Sequence, residues 1–178
     1  MTSKIPVTVL GATGVVGQRF VRRLADHPLF KIQYLAASER SSGKRYFEAC
    51  AWRLDGEPYG GFGPRVMVPG EPDQSLSPVV FSALDSGPAS ELEPGFAKAG
   101  ALVFSNSSAF RMAREVPLLI PEVNPEHLGL VDLQRRHHGW KGAILCNPNC
   151  TATVLAMALA PLQQAFGIEA VMMTSMQA

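Results

Sequence analysis

The chain has 178 residues, 47% hydrophobic and 17% charged, with a formal net charge of +1 and a pI near 7.8. That composition suits a folded domain and excludes a disordered chain, and the near-balance of charge gives no reason to expect nucleic acid or an acidic membrane as partner. No stretch approaches the roughly 20 apolar residues of a membrane span, and the N-terminal segment has no apolar run of signal-peptide length.

The run Ile5–Leu10 is apolar and β-branched, ends at Gly11 and predicts a buried strand. Over residues 15–25, Val16, Phe20, Val21, Leu24 and Ala25 share one helical face while Arg19, Arg22 and Arg23 fill the rest, the pattern of an amphipathic helix. Residues 32–37 read as a second strand. Residues 41–50 allow a short helix, 56–63 are glycine-rich and loop-like, and 65–68 allow a short strand. Residues 79–84 predict a strand. The segment 86–99 has helical character, but Pro88, Pro94 and Gly95 predict that the helix is short or broken. Strands are expected at 101–105 and 118–120. Asn124 and Pro125 then supply an N-cap and a first helical residue for a helix that takes in His127. His137 and His138 fall in a polar stretch. A strand is expected at 143–146, then a long helix from near Asn149 to Phe166, with Pro161 as a candidate kink and Gly167 as its stop. Residues 168–176 read as a last strand. The alternation of strands and helices predicts an α/β fold with a doubly wound parallel sheet, Rossmann-like.

The first strand leads directly into Gly11-Ala12-Thr13-Gly14-Val15-Val16-Gly17. In a dinucleotide-binding loop one glycine makes the tight turn, a second lets the backbone approach a diphosphate, and a third allows close helix–strand packing. The following helix N-terminus offers unpaired N–H groups to the phosphates. Three spaced glycines are a weak signal alone; their place between a strand and an amphipathic helix is the context the motif requires. Thr13, Val15 and Val16 are therefore expected at the cofactor together with Gly11, Gly14 and Gly17. At the end of the second strand an NAD site usually carries an acidic residue for the ribose 2′-OH. Here Ala36-Ala37 are neutral, and Ser38, Arg40 and Ser41 can cradle a 2′-phosphate, which favours NADP. Glu39 offers the alternative of holding a 2′-OH or of pointing to solvent.

The three cysteines are Cys50, Cys146 and Cys150. An odd, sparse set in a chain without a secretion signal predicts reduced thiols in the cytoplasm. No metal site is expected, because Cys146 and Cys150 have too few good ligands near them. Cys146 ends an apolar strand, and Cys50 sits beside Ala49, Ala51 and Trp52, so both read as packing residues. Cys150 is different. It falls at the first turn of a long helix, where the helix N-terminus favours a thiolate and the same N–H groups can steady an oxyanion.

Gly11–Gly17, Ser82-Ala83-Leu84-Asp85-Ser86, Ser105-Asn106-Ser107-Ser108-Ala109-Phe110-Arg111, Pro121-Glu122-Val123-Asn124 and Asn147-Pro148-Asn149-Cys150-Thr151 occur in that order. Together they resemble the aspartate-semialdehyde dehydrogenase family, and the resemblance covers essentially the whole chain. It implies an NADP-binding domain over residues 1–149, followed over 150–178 by the nucleophile helix and first strand of a second, truncated α+β catalytic domain that also forms the dimer. It implies reduction of β-aspartyl phosphate to aspartate semialdehyde and phosphate through a cysteine thioacyl intermediate, on the way to lysine, threonine and methionine. Cys150 is then the nucleophile, and Asn149 orients the reacting carbonyl. Arg111 binds the acyl phosphate with Asn106 beside it, Gln177 positions the substrate, and Ser82 and Ser86 line the cofactor cleft. Read from its surroundings alone, Arg111 follows a strand where ligands of parallel sheets bind but is better explained as a solvated surface arginine, and Gln177 would not be singled out. The family's histidine base matches none of His127, His137 or His138, so the chain reads as a partial form with little activity by itself, and as a homodimer or homotetramer only at full length. Malonyl-CoA reductase is the nearest alternative on this scaffold. N-acetyl-glutamyl-phosphate reductase and glyceraldehyde-phosphate dehydrogenase usually surround their cysteine differently. A non-catalytic dinucleotide-binding module would have no reason to keep Cys150, Arg111 and Gln177 together.

Overall fold

A computed structural model describes residues 3–176. Its strands are β1 Ile5–Leu10, β2 Phe30–Ala37, β3 Val68–Pro69, β4 Val79–Ser82, β5 Leu102–Ser105 and β6 Ala143–Cys146. Its α-helices are α1 Val15–Leu24, α2 Tyr46–Ala49, α3 Pro72–Ser75, α4 Ser86–Ala99, α5 Leu130–His138 and α6 Cys150–Phe166. Among the described residues the six strands form one sheet in the order β3-β2-β1-β4-β5-β6, with every neighbouring pair parallel. This is the doubly wound order, and the chain reverses direction across the sheet between β1 and β4. Ligands of such sheets bind beyond the carboxyl ends of the strands at that reversal, here above Leu10 and Ser82, which pair with each other.

Each face of the sheet carries its own core. Val7 and Val9 of β1 pack with Ile32, Leu35, Val21, Leu24 and Tyr46 on one side. Leu10 packs with Val80, Val103, Ile144, Phe96 and Ala97 on the other. Strands buried on both faces must be nearly continuous in apolar residues, which is why β1 and β2 stand out in the sequence. Among the described residues no helix is long and apolar enough to cross a membrane.

Several elements differ from the sequence expectation. The buried stripe of α1 runs through Gly17, Gln18, Val21 and Leu24, while Val16 is 45% exposed. The stripe is centred by Gly17, where a Cβ would stand 2.2 Å from the Gly11 carbonyl oxygen; only glycine lets helix and loop approach this closely. Helix α4 is continuous over 14 residues instead of broken. Pro88 lies in its first turn, where an N–H would lack a helical acceptor anyway, and Pro94 deprives only the carbonyl of exposed Ser90. Residues 65–68 yield only the two-residue β3 and one antiparallel bridge between Arg45 and Val66. Residues 118–120 contribute a single bridge, Leu118 to Cys146. The reason is Gln134 of α5, which occupies the rest of that edge: the Ile144 N–H donates to Gln134 Oε1 at 2.7 Å, and Gln134 Nε2 donates to the Ile144 carbonyl at 3.1 Å. His137 and His138 end α5, where their rings stack on one another and His138 stacks on Trp140.

Residues 168–176 form no strand among the described residues. Val171, Met172, Met173 and Met176 are all exposed, and no strand of the sheet lies beside them. An extended segment without a partner ladder has nothing to satisfy its backbone as a strand. Pro161 does not end α6, which runs on to Phe166 with Gly167 at its C-cap.

Candidate active site

The glycine loop turns out of β1 with Gly11 at φ +70, and a Cβ there would meet the Ala83 carbonyl oxygen at 2.7 Å. The loop after β1 therefore lies directly against the segment after β4. A Cβ on Gly14 would meet only the Gly11 oxygen, at an ordinary 3.5 Å, so its open side is free for a ligand. Gly14 is the N-cap of α1 and provides no side-chain cap. Among the described residues no hydrogen bond takes the N–H groups of Val15, Val16 or Gly17. Those three donors, with the positive end of the helix dipole, make an anion site of the kind that accepts a phosphate group. Val15 and Val16 are exposed beside it, and Thr13 is half-buried.

Beyond Gly11 a cleft of about 240 Å³ runs toward the end of β2, lined among others by Leu10, Ala37, Ser38, Glu39, Leu84 and Pro88. Its apolar walls and open end fit an adenosine. Ser38 begins a tight turn in which the Ser41 and Ser42 N–H groups both donate to its carbonyl, at 2.9 and 3.1 Å. Arg40 is exposed on this turn and makes no ion pair among the described residues. Ser86 opens α4 and is exposed. Ser82 departs from expectation: its side chain is fully buried and cannot line the cleft. Strand alternation explains this, since Ser82 follows Val80 onto the face covered by α4, where Glu93 lies.

The second half of the site is built from the ends of β5 and β6. The Asn106 N–H donates to the Ser82 carbonyl at 3.0 Å and the Asn147 N–H to the Ser105 carbonyl at 2.8 Å, so both asparagines extend the sheet by one step. Arg111 spans the two loops. Its Nη2 donates to the Asn106 carbonyl at 2.7 Å and its Nε to the Asn147 carbonyl at 2.9 Å. Asn147 Nδ2 donates to Asn106 Oδ1 at 2.6 Å. The guanidinium is thus fixed in place by backbone oxygens and, among the described residues, has no acidic partner, so its charge remains available to an anion.

Asn147 leads through Pro148 to Asn149, the N-cap of α6, whose Oδ1 accepts the Ala152 N–H at 2.7 Å. Cys150 is the first residue of the helix and is exposed. The other two thiols are buried, and burial pushes both pKa values up, Cys146 to about 12 with the nearby Glu93 charge adding to the effect. Sequence and structure agree on which cysteine is accessible. Gln177 lies outside the described residues. Among the described residues no group of three or more His, Cys, Asp or Glu side chains could hold a metal ion.

Glu93 escaped the sequence reading. It is fully buried and accepts the Ser105 hydroxyl at 2.8 Å, while Ser105 Oγ in turn accepts the Ser107 N–H at 3.1 Å. Burial pushes its carboxyl pKa above the usual glutamate range, against the opposing pull of the Ser82 and Ser105 hydroxyls. The signal was present: Ala89, Glu93, Phe96 and Ala97 lie at spacings of four, three and one, so the acid stands on the buried stripe of its helix.

Comparison with known proteins agrees with this geometry. Residues 6–131 match the model of the semialdehyde dehydrogenase NAD-binding domain. An aspartate-semialdehyde dehydrogenase of Archaeoglobus fulgidus is 52% identical over 97% of this chain and 50% of its own length. A malonyl CoA reductase (NADP) of Metallosphaera sedula is 41% identical over 99% of this chain and 50% of its own. The crystal structure of aspartate semialdehyde dehydrogenase with NADP from Candida albicans superposes with a TM-score of 0.83 at 39% identity, covering 93% of this chain and 48% of that one. The chain spans about half the length of the curated relatives it matches.

Proposed function

The chain belongs to the semialdehyde dehydrogenase family, and from that premise we propose that it serves the NADP-dependent reduction of β-aspartyl phosphate to aspartate semialdehyde and phosphate. Residues 1–149 are the dinucleotide-binding unit in this reading, and residues 150–178 open the catalytic one. The observation that carries it is the link from Cys150 through the Asn147–Asn149 turn to Arg111, which joins an exposed thiol at a helix start to an unneutralised guanidinium. An acyl phosphate needs both: a sulfur to attack its carbonyl carbon and a cation to hold the phosphate that leaves.

NADP fits the chain's own residues. Thr13, Val15, Val16 and Gly17 would hold the diphosphate, the cleft beside Ala37 the adenosine, and Ser38, Arg40 and Ser41 the 2′-phosphate, with Ser86 at the mouth. When bound, the cofactor supplies the hydride that converts the acyl group to an aldehyde. The protein's part is the acyl transfer. The Cys150 sulfur attacks the carbonyl carbon while the positive end of the α6 dipole and the Asn149 side-chain Nδ2 steady the oxyanion. The carbon–oxygen bond to phosphate then breaks, leaving a thioester on Cys150 and inorganic phosphate beside Arg111. Asn106 shapes that pocket through its bond to Asn147, and Gln177 is assigned to positioning the acyl group.

Three free cysteines support a reducing, cytoplasmic setting. Assembly as a homodimer or homotetramer completes the reading. Among the described residues no histidine donates to or accepts from Cys150, which predicts slow steady-state turnover by this polypeptide and makes a single acyl transfer the informative event. Incubation with β-aspartyl phosphate is expected to release phosphate and to leave an aspartyl adduct on Cys150 by mass spectrometry. Phosphate release without an adduct, or an equal adduct in Cys150→Ser, would contradict the proposal. The similarity to malonyl CoA reductase favours a second reading in which malonyl-CoA is the acyl donor; loss of CoA with a malonyl adduct on Cys150, and none from β-aspartyl phosphate, would establish it instead.

A further inference from the structure

A loop that turns its N–H groups toward a diphosphate must keep its carbonyl oxygens away from it, because an oxygen lone pair facing phosphate repels it. Two of these carbonyls are held from behind. The Tyr46 hydroxyl donates to the Ala12 carbonyl at 2.7 Å, both groups being buried. Gln18 Nε2 donates to the Thr13 carbonyl at 2.9 Å, and the Cys50 thiol approaches the same oxygen at 3.6 Å. Gln18 is 1% exposed and its amide is fully engaged: Nε2 also donates to the Ala51 carbonyl at 3.1 Å, and Oε1 accepts the Arg53 N–H at 2.8 Å. A buried amide in the first turns of a helix otherwise packed by Gly17, Val21 and Leu24 is costly unless its bonds are made. Here all of them go to the loop and to the 51–53 segment that braces it.

We propose that Gln18, with Tyr46 as its companion, is the positioning residue of the diphosphate site: together they hold the Thr13 and Ala12 carbonyls inward and thereby fix the course of the loop that presents the donors at Val15, Val16 and Gly17. Gln18 does not touch the cofactor in this account; it acts through the loop. The inference rests on the dinucleotide reading above. It concerns only the diphosphate, so a ligand that carries the ribose phosphate and lacks the diphosphate must be indifferent to it.

The test compares NADPH, NADH and 2′-AMP binding to the 178-residue protein by calorimetry, with thermal unfolding measured alongside. In Gln18→Glu the shape and the bond from Arg53 are kept, but the donor to Thr13 is lost. Affinity for NADPH and NADH should fall by the same factor, about tenfold or more, with 2′-AMP bound within about twofold of the wild type. Tyr46→Phe, which removes one hydroxyl, should weaken both dinucleotides by a smaller common factor and spare 2′-AMP. Dinucleotide affinities within twofold of the wild type in both variants would overturn the proposal. So would a loss of 2′-AMP binding as large as that of NADPH, which is the mark of a merely structural role. If the wild-type protein binds neither dinucleotide, the cofactor reading itself fails, and this inference falls with it.

Discussion

Arg111 and Arg40 are both exposed or half-exposed arginines, yet the structure gives them opposite conditions. Arg111 is fixed by two backbone carbonyls, whereas Arg40 stands free on a turn built by Ser38 and Ser41. A guanidinium with no ion pair among the described residues is suited to the 2′-phosphate of the proposed cofactor site, through a charge-assisted bond worth about 1.5–3 kcal/mol. Arg40→Ala should therefore weaken NADPH by about tenfold to a hundredfold and leave NADH nearly unchanged; equal losses for the two cofactors in a binding titration would remove NADP preference from that turn. Glu93 makes a different prediction. Its folded pKa is raised by burial above the ordinary glutamate value of 4.5, so the folded state favours the proton. No penalty is present below 4.5; a penalty grows as the pH rises from there through the folded pKa and is complete above it. Glu93→Gln keeps an acceptor for Ser105 and removes the ionisation, so it should raise Tm near neutral pH, by about 2–4 °C for each kcal/mol relieved. The gain should vanish as the pH approaches 4.5. A gain independent of pH would mean that ionisation of Glu93 is not its origin.

Among the secondary-structure elements, the ones that position the site were the legible ones. The apolar run of β1, the glycine loop and the start of α6 declare themselves through local chemistry, because each needs a residue type that little else can replace. Asn149 caps α6 through Ala152, and Cys150 follows at the first helical position, as its spacing predicts. What the sequence concealed depends on packing between elements. Ser82 looked available until the α4 face claimed it, and Glu93 looked like an ordinary helix acid. The last nine described residues alternate loosely, as a strand can, yet they have no neighbouring strand to pair with. Gln134 is the clearest case: a polar residue on a polar helix proves to be the hydrogen-bond partner of an entire edge residue, donating to and accepting from Ile144. Gln134→Leu strips both bonds from a buried strand and should cost about 2–4 kcal/mol, measured by urea unfolding. A cost below about 0.5 kcal/mol would show that water or the 117–119 segment can replace the side chain at that edge.

Across the molecule, the parallel order of the sheet brings the two chemistries together. The reversal between β1 and β4 opens the cofactor crevice, and the next two strands, β5 and β6, deliver Arg111, Asn147 and Cys150 one and two steps farther along the same sheet edge. Neither the glycine loop nor the cysteine motif alone implies that arrangement; the strand order does. The family model matches residues 6–131, which include Arg111, and Cys150 lies beyond them. In the proposed reaction one polypeptide carries both a hydride donor's site and the sulfur that receives the acyl group. The most direct measurement is a single-turnover experiment in which the protein is first acylated on Cys150 by β-aspartyl phosphate, freed of excess donor and then mixed with NADPH. The nicotinamide absorbance is expected to fall by one equivalent per acylated cysteine while aspartate semialdehyde is released and the thiol is restored. Persistence of the adduct, or its loss by hydrolysis with NADPH unconsumed, would contradict it.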